Sequence, residues 1–214
     1  MTFLPYKFPW SRRAPVIGID IDAIGVRLIE LSGARGKLRV EYFAFEPFNH
    51  GVVREGTVQQ FDQVCEALHI AMVKSASPTH QVALALPASS VISKVVTLPD
   101  LLSEEDIEAE IETEASQNLP FPLSEMGLDF CILGPSNREQ AAIDVMLVAA
   151  RKEKIDERIA LAKAVGLEVV AINVDSYAAR FALSEKIKRE KHGKNNAIGL
   201  FNIGAEHRDR KSVV

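Results

Sequence analysis

Asp20 and Asp22, one residue apart, end an apolar alternation in IGIDIDAIGVRLIEL (Ile17–Leu31), with Gly25 and Arg27 just beyond. A strand that ends in Asp20 and turns through small residues into a second strand can offer backbone N–H groups and a carboxylate to a metal-bound polyphosphate. Near the far end, AIGLFNIGAEH gives a buried strand from Ala197 to Phe201 that runs into Asn202-Ile203-Gly204-Ala205, where a second such turn can form. On composition alone GIDIDAIG is also an ordinary hairpin, with Asp22 a turn residue and Gly204 a turn glycine.

The elements that must position these residues follow from periodicity. Every second residue is apolar from Ile17 to Ile21, and again across Val26 and Leu28 and, less strictly, Ile29 and Leu31, which predicts a strand hairpin. KLRVEYFAFEPF predicts a third strand that alternates from Leu38 to Phe45. Phe61, Val64, Cys65, Leu68 and Met72 are spaced for one face of a helix over Phe61–Val73, and QVALALP (Gln81–Pro87) reads as the next strand. Three strands, a helix and a strand open a layered α/β domain.

The middle of the chain changes character. VISKVVTLP (Val91–Pro99) is a strand stopped by proline, and a helix starts at Ser103 with Asp106 placed for a capping box. Ile107, Ile111, Ala115 and Leu119 share one face of that helix. Acids from Glu104 to Glu114 cover the rest, as a solvated face or an acidic docking surface. Strands at Met126–Leu133 and Ala141–Ala150 and a helix at Lys152–Val165 complete a βαββα block, 91–166, inserted in the first domain. A strand at Val169–Val174 then leads into a helix that begins after Asp175 and runs to about Lys191. Its basic end, KIKREKHGK (Lys186–Lys194), suits a helix C-terminus, with Gly193 as the stop.

Composition sets outer bounds. With 214 residues, 47% apolar and 25% charged, the chain is an ordinary globular sequence that can bury one or two cores, which excludes disordered and fibrous classes. A net charge of −4 gives no general attraction to nucleic acid or anionic lipid. No apolar run approaches the ~20 residues of a membrane span, and MTFLPYKFPWSRRAP lacks the apolar core of a secretion signal, so a cytoplasmic location is expected. Cys65 and Cys131 lack metal-ligand spacing and read as buried small hydrophobes. DRKSVV (Asp209–Val214) is what GATCGGAAGAGCGTCGTG encodes, a string resembling a sequencing-library adapter. On that reading 209–214 is a non-native tail and the natural chain continues past His207.

Three stretches carry a family resemblance: GIDIDAIGVRLIEL, IEAEIETEASQNLPFPLSEMGLDFCILG and AVGLEVVAINVDSYAARFAL. Over nearly all of Pro15–His207 the chain resembles the actin-like ATPase superfamily, and within it the PilM family of type IV pilus assembly proteins, which is related to the division protein FtsA. The acidic helix followed by Pro-Phe-Pro-Leu and Leu-Asp-Phe is the most distinctive part. The resemblance implies an α/β fold: an actin-like (ribonuclease H-like) core at 15–90 and 167–207, an inserted α+β subdomain at 91–166, an N-terminal tail at 1–14, and a second lobe lying beyond the chain.

The same resemblance implies roles. Asp20 matches the acid of a first phosphate loop, holding the magnesium of ATP through water. Gly25 and Arg27 match that loop's turn and its basic position, with Asp22 beside them. Asp175 matches the residue that positions an attacking water, although it also suits a helix N-cap, and Asn202 and Gly204 match a second phosphate loop. Two departures bear on turnover. Many relatives carry aspartate where Asn202 stands, and Asp22 adds a carboxylate that repels phosphate unless metal intervenes. ATP and magnesium binding are therefore expected of a full-length protein, with weak or absent hydrolysis, and no activity is expected of this half site.

The implied function is a cytoplasmic scaffold at the inner-membrane face that binds the N-terminal tail of PilN between core and insert. Pilus motor ATPases and self-association are further partner expectations; membrane contact runs only through partners, and nucleic acid is not one. A GspL-like secretion scaffold, an FtsA-like division protein and an actin-fold ATPase or sugar-kinase-type enzyme are the alternatives.

Overall fold

The computed structural model describes residues 15–33, 37–189, 198–203 and 208–213, with backbone alone at 184–189, 198, 202–203 and 208–213. The first three strands form an antiparallel meander: β1 (Ile17–Ile21), β2 (Gly25–Ser32) and β3 (Arg39–Pro47). A short hairpin follows, β4 (Val53–Arg54) with β5 (Thr57–Val58), and then α1 (Phe61–Ser75) and β6 (Gln81–Leu86). The insert comprises β7 (Val91–Pro99), α2 (Glu104–Asn118), β8 (Met126–Pro135) and β9 (Ala142–Arg151). The chain closes with α3 (Lys152–Ala164), β10 (Glu168–Val174), α4 (Asp175–Arg189), β11 (Ile198–Ile203) and β12 (Arg208–Val213).

The principal sheet has the order β10-β6-β1-β2-β3, with β1 pairing antiparallel to β2 and parallel to β6, and β10 parallel to β6. Alternation assigns its two faces. Ile17, Ile19, Val26, Leu28, Val82, Leu84 and Ile172 turn toward α1 and α3, where Val64, Leu68, Ala71, Ile155, Leu161 and Ala162 close the larger core. Gly18, Asp20, Arg27, Ile29 and Phe43 hold the alternate positions. A left-handed Ala76 (φ 54°) caps α1.

The second core lies under the insert's three-stranded sheet, ordered β7-β9-β8, where Val96, Leu98, Val145 and Leu147 pack on Ile107, Ile111 and Ala115 of α2. The expected capping box is present: the Ser103 side chain accepts from the Asp106 amide at 3.2 Å, and the Asp106 carboxylate accepts from the Ser103 amide at 3.2 Å. Glu104, Glu105, Glu108, Glu110 and Glu112 are exposed, so the acids form a solvated face.

Several sequence expectations need correcting. Helix α3 was grouped with the insert, yet it supplies Ile155, Leu161 and Ala162 to the larger core, because its apolar side meets the principal sheet. Cys131 is exposed in the middle of an edge strand and Cys65 is only half-buried; burial and the charge of Asp62 push the Cys65 thiol up. The strand expected to be buried at 197–201 is β11, which pairs with β12 alone and leaves Phe201 65% exposed. On β3 only Ala44 is buried, since Phe43 and Phe45 face away from α1. The β4–β5 hairpin was not foreseen; Glu55 (φ 50°) and Gly56 (φ 71°) form a two-residue turn whose left-handed pair matches strand twist. Gly193 and Gly204 lie outside the described residues, as do the side chains of the basic run near Lys186–Lys194.

Candidate functional site

Three parallel strands end level with one another. Ile19 of β1 pairs with Leu84 of β6, and Leu86 of β6 pairs with Val174 of β10, so Asp20–Asp22, Pro87–Ala88 and Asp175 leave the sheet at the same edge. With strands about 4.8 Å apart, the acids at the end of β1 and the helix start after β10 are separated by roughly 10 Å. Ligands of open α/β sheets bind outside the carboxyl ends of parallel strands in this way.

At the end of β1 the acids share one cation. Arg27 Nη1 donates to Asp22 Oδ2 at 2.7 Å and to Asp20 Oδ2 at 2.9 Å, and the guanidinium lies 5.5 Å from the Phe45 ring centre. Partial burial opposes the Arg27 charge, but the hydrogen bond and attraction of Asp22, followed by those of Asp20, raise its pKa above the usual arginine value. The other oxygen of Asp22, Oδ1, accepts from the Ile24 amide at 2.9 Å and the Gly25 amide at 3.2 Å, and the Asp22 amide donates to the Gly25 carbonyl at 3.2 Å. Asp22 therefore closes the turn on itself, which engages several of the amides a phosphate loop would present.

Gly25 serves close packing as well as the turn. It is buried at the first position of β2, and a Cβ there would fall 2.4 Å from the Glu46 carbonyl oxygen and 2.7 Å from the Phe45 ring. Asp20 differs from Asp22 in that its side chain is 56% exposed and takes no part in the turn.

Asp175 opens α4, as an N-cap-like residue would, and its Oδ1 accepts from the Ser176 amide and, at 3.0 Å, from the Ala88 amide. It thus ties the loop after β6 to the end of β10. Asn202 falls in β11, where the backbone alone is described, and Gly204 lies outside the described residues. The structure brings Asp20, Asp22, Arg27 and Asp175 to one edge of the sheet.

Sequence reasoning missed a basic contribution from α3. Arg158 is 1% exposed and donates from Nη2 to the Gly56 carbonyl at 2.9 Å. Lys154, one turn earlier and largely covered, lies 3.7 Å from Glu157. Desolvation lowers the Arg158 pKa, and the charges of Glu157 and Asp20 partly restore it. The available signal was REGTV (Arg54–Val58), a turn pair between short strand formers; the buried arginine itself left none, because an arginine on a helix reads as a solvated residue.

The donor set bears on whether magnesium and ATP fit here. Among the described residues no three His, Cys, Asp or Glu side chains gather as a metal centre. An exposed carboxylate at a strand end, with Arg27 beside it for the phosphates, suits a magnesium that arrives with them and is held through water. Asp20 has that placement; Asp22 is committed to its turn and to Arg27.

A family model described as type IV pilus assembly protein PilM matches residues 18–212. Among solved structures, the chain is similar to the PilM-PilN type IV pilus biogenesis complex, with 24% identity, a TM-score of 0.81, and coverage of 94% of this chain and 59% of that one. It is also similar to the cytoplasmic domain of EpsL, an inner-membrane component of the type II secretion system of Vibrio cholerae, with 16% identity, a TM-score of 0.50, and coverage of 77% and 59%. The chain thus spans 59% of the length of either protein. The likeness is one of fold, a mixed α/β core with a three-stranded insert after β6. With a match running from 18 to 212, the chain belongs to the PilM family of type IV pilus assembly proteins.

Proposed function

We propose that this chain is the nucleotide-binding part of a scaffold for type IV pilus biogenesis, working at the cytoplasmic face of the inner membrane and docking the N-terminal tail of PilN. The family match over 18–212 carries this reading. The likeness to a PilM-PilN complex supports the choice of partner. An extended tail needs unpaired backbone beside apolar side chains. Strand β7, at one edge of the insert's sheet and next to the core in sequence, suits such a tail, with Ile92 39% and Val95 38% exposed.

The nucleotide part of the proposal rests on Asp20 at the shared strand-end edge. It is binding without efficient turnover, since Asp175 Oδ1 is engaged with the Ala88 and Ser176 amides rather than held ready for a water. Two titrations of the complete protein test the reading. A synthetic peptide of the PilN N-terminal tail should bind saturably, and no heat at millimolar peptide would remove the partner. Asp20→Ala should abolish binding of magnesium-ATP while melting as the parent does, and an unchanged affinity would remove Asp20 from the site.

A further inference from the structure

Arg158 heads the fully buried side chains by volume among the described residues. Its Nη2 has the Gly56 carbonyl, but Nε and Nη1 are buried without a hydrogen-bond partner among those residues. A guanidinium so placed is a poor core filler, because burying unpaired donors and a charge is unfavourable. What it touches gives it a use.

Gly56 is the second residue of the β4–β5 turn, and a Cβ on it would fall 2.4 Å from Pro87 Cγ, so the turn lies directly against the residue that follows β6. The next amide, that of Ala88, donates to Asp175 Oδ1 at 3.0 Å. One line of contacts therefore runs from α3 through Gly56, Pro87 and Ala88 to Asp175, beneath the edge that carries Asp20. Pro87 follows β6, the strand that β1 pairs with through Ile19 and Leu84, so this line of contacts ends beside the strand that carries Asp20.

We propose that Arg158 is a positioning residue for the strand-end site: it clamps the β4–β5 turn onto Pro87, and this sets how the Asp20 hairpin and the Asp175 loop stand toward a magnesium-bound polyphosphate. The inference rests on the nucleotide reading above. Clamp and ligand can be separated by experiment.

Arg158→Met and Arg158→Lys in the complete protein are titrated with magnesium-ATP below their melting temperatures, and amide exchange is followed at Gln59 and Gln60, whose N–H groups bond to the Val52 carbonyl at 2.9 and 3.2 Å. Arg158→Met should bind about tenfold more weakly or worse, with faster exchange at both amides, and Arg158→Lys should recover part of the affinity because an ammonium can still reach the Gly56 carbonyl. A purely packing role would lower the melting temperature and leave the affinity of the folded protein alone, which would overturn the proposal. Should Arg158→Met fail to fold, Gly56→Ala displaces the same turn without touching the charge; a similar weakening supports the clamp and an unchanged affinity overturns it. If the parent protein does not bind magnesium-ATP, the nucleotide reading falls, and exchange at Gln59 and Gln60 decides the clamp alone: faster in the variant supports it, unchanged overturns it.

Discussion

At Asp22 the turn claims the carboxylate before any ligand can, and the neighbouring Asp20 is left as the exposed acid. Asp22→Asn keeps an acceptor for Ile24 and Gly25 and should melt close to the parent. Asp22→Ala loses both of these turn bonds and the ion pair with Arg27 and should cost about 1–2 kcal/mol in denaturant unfolding. The cysteines separate in the same local way: a brief treatment with an alkylating reagent should modify exposed Cys131 and spare Cys65, whose thiol is pushed up by burial and by Asp62, as peptide mass spectrometry would read. Asp20 was legible as the acid at a strand end and Arg27 only through the family resemblance; the structure pairs the two in register. Arg158 was not, since its burial comes from a turn about a hundred residues earlier in the chain. Periodicity carries no trace of such a contact.

Among the elements, α2 shows how completely a local signal can specify a boundary. Ser103 and Asp106 satisfy each other's amides, and the hydrogen bonds from Ser103 hold the Asp106 carboxyl below its usual range. A carboxyl depressed in the folded state contributes stability above its unfolded pKa and loses it as pH falls through the lower folded value. Ser103→Ala should therefore unfold at lower denaturant than the parent near neutral pH. The deficit against the parent should shrink in acid below pH about 4, as parallel unfolding curves would show. Helix α1 was equally readable from apolar spacing, and strands β6 and β7 from apolar runs closed by proline. The β4–β5 hairpin was missed because strands of two residues are too short for alternation to register. Helix α3 was found in place but assigned to the wrong layer, since spacing shows that a face is apolar and not what it will meet.

For the molecule as a whole, one side of the principal sheet is unfinished among the described residues. Phe43 is 60% exposed, Leu31 42%, and Ile29 and Phe45 37% each, across two paired strands that end at the edge strand β3. A continuous apolar face of this kind promotes association. The 214-residue polypeptide should self-associate on a sizing column, and Phe43→Lys should shift it toward monomer; an unchanged profile would show that this face is not the adhesive one. The insert stands in contrast, because it buries its own apolar side on α2. Its point of departure and its point of return are also neighbours: Val91 pairs with Ala150 at the base of the β7–β9 ladder. Paired residues of an antiparallel ladder sit about 5 Å apart, a gap that a two-residue Asn-Gly turn spans. The insert is in this sense a cassette: replacing the residues between Val91 and Ala150 by such a turn should leave the edge that carries Asp20 in place.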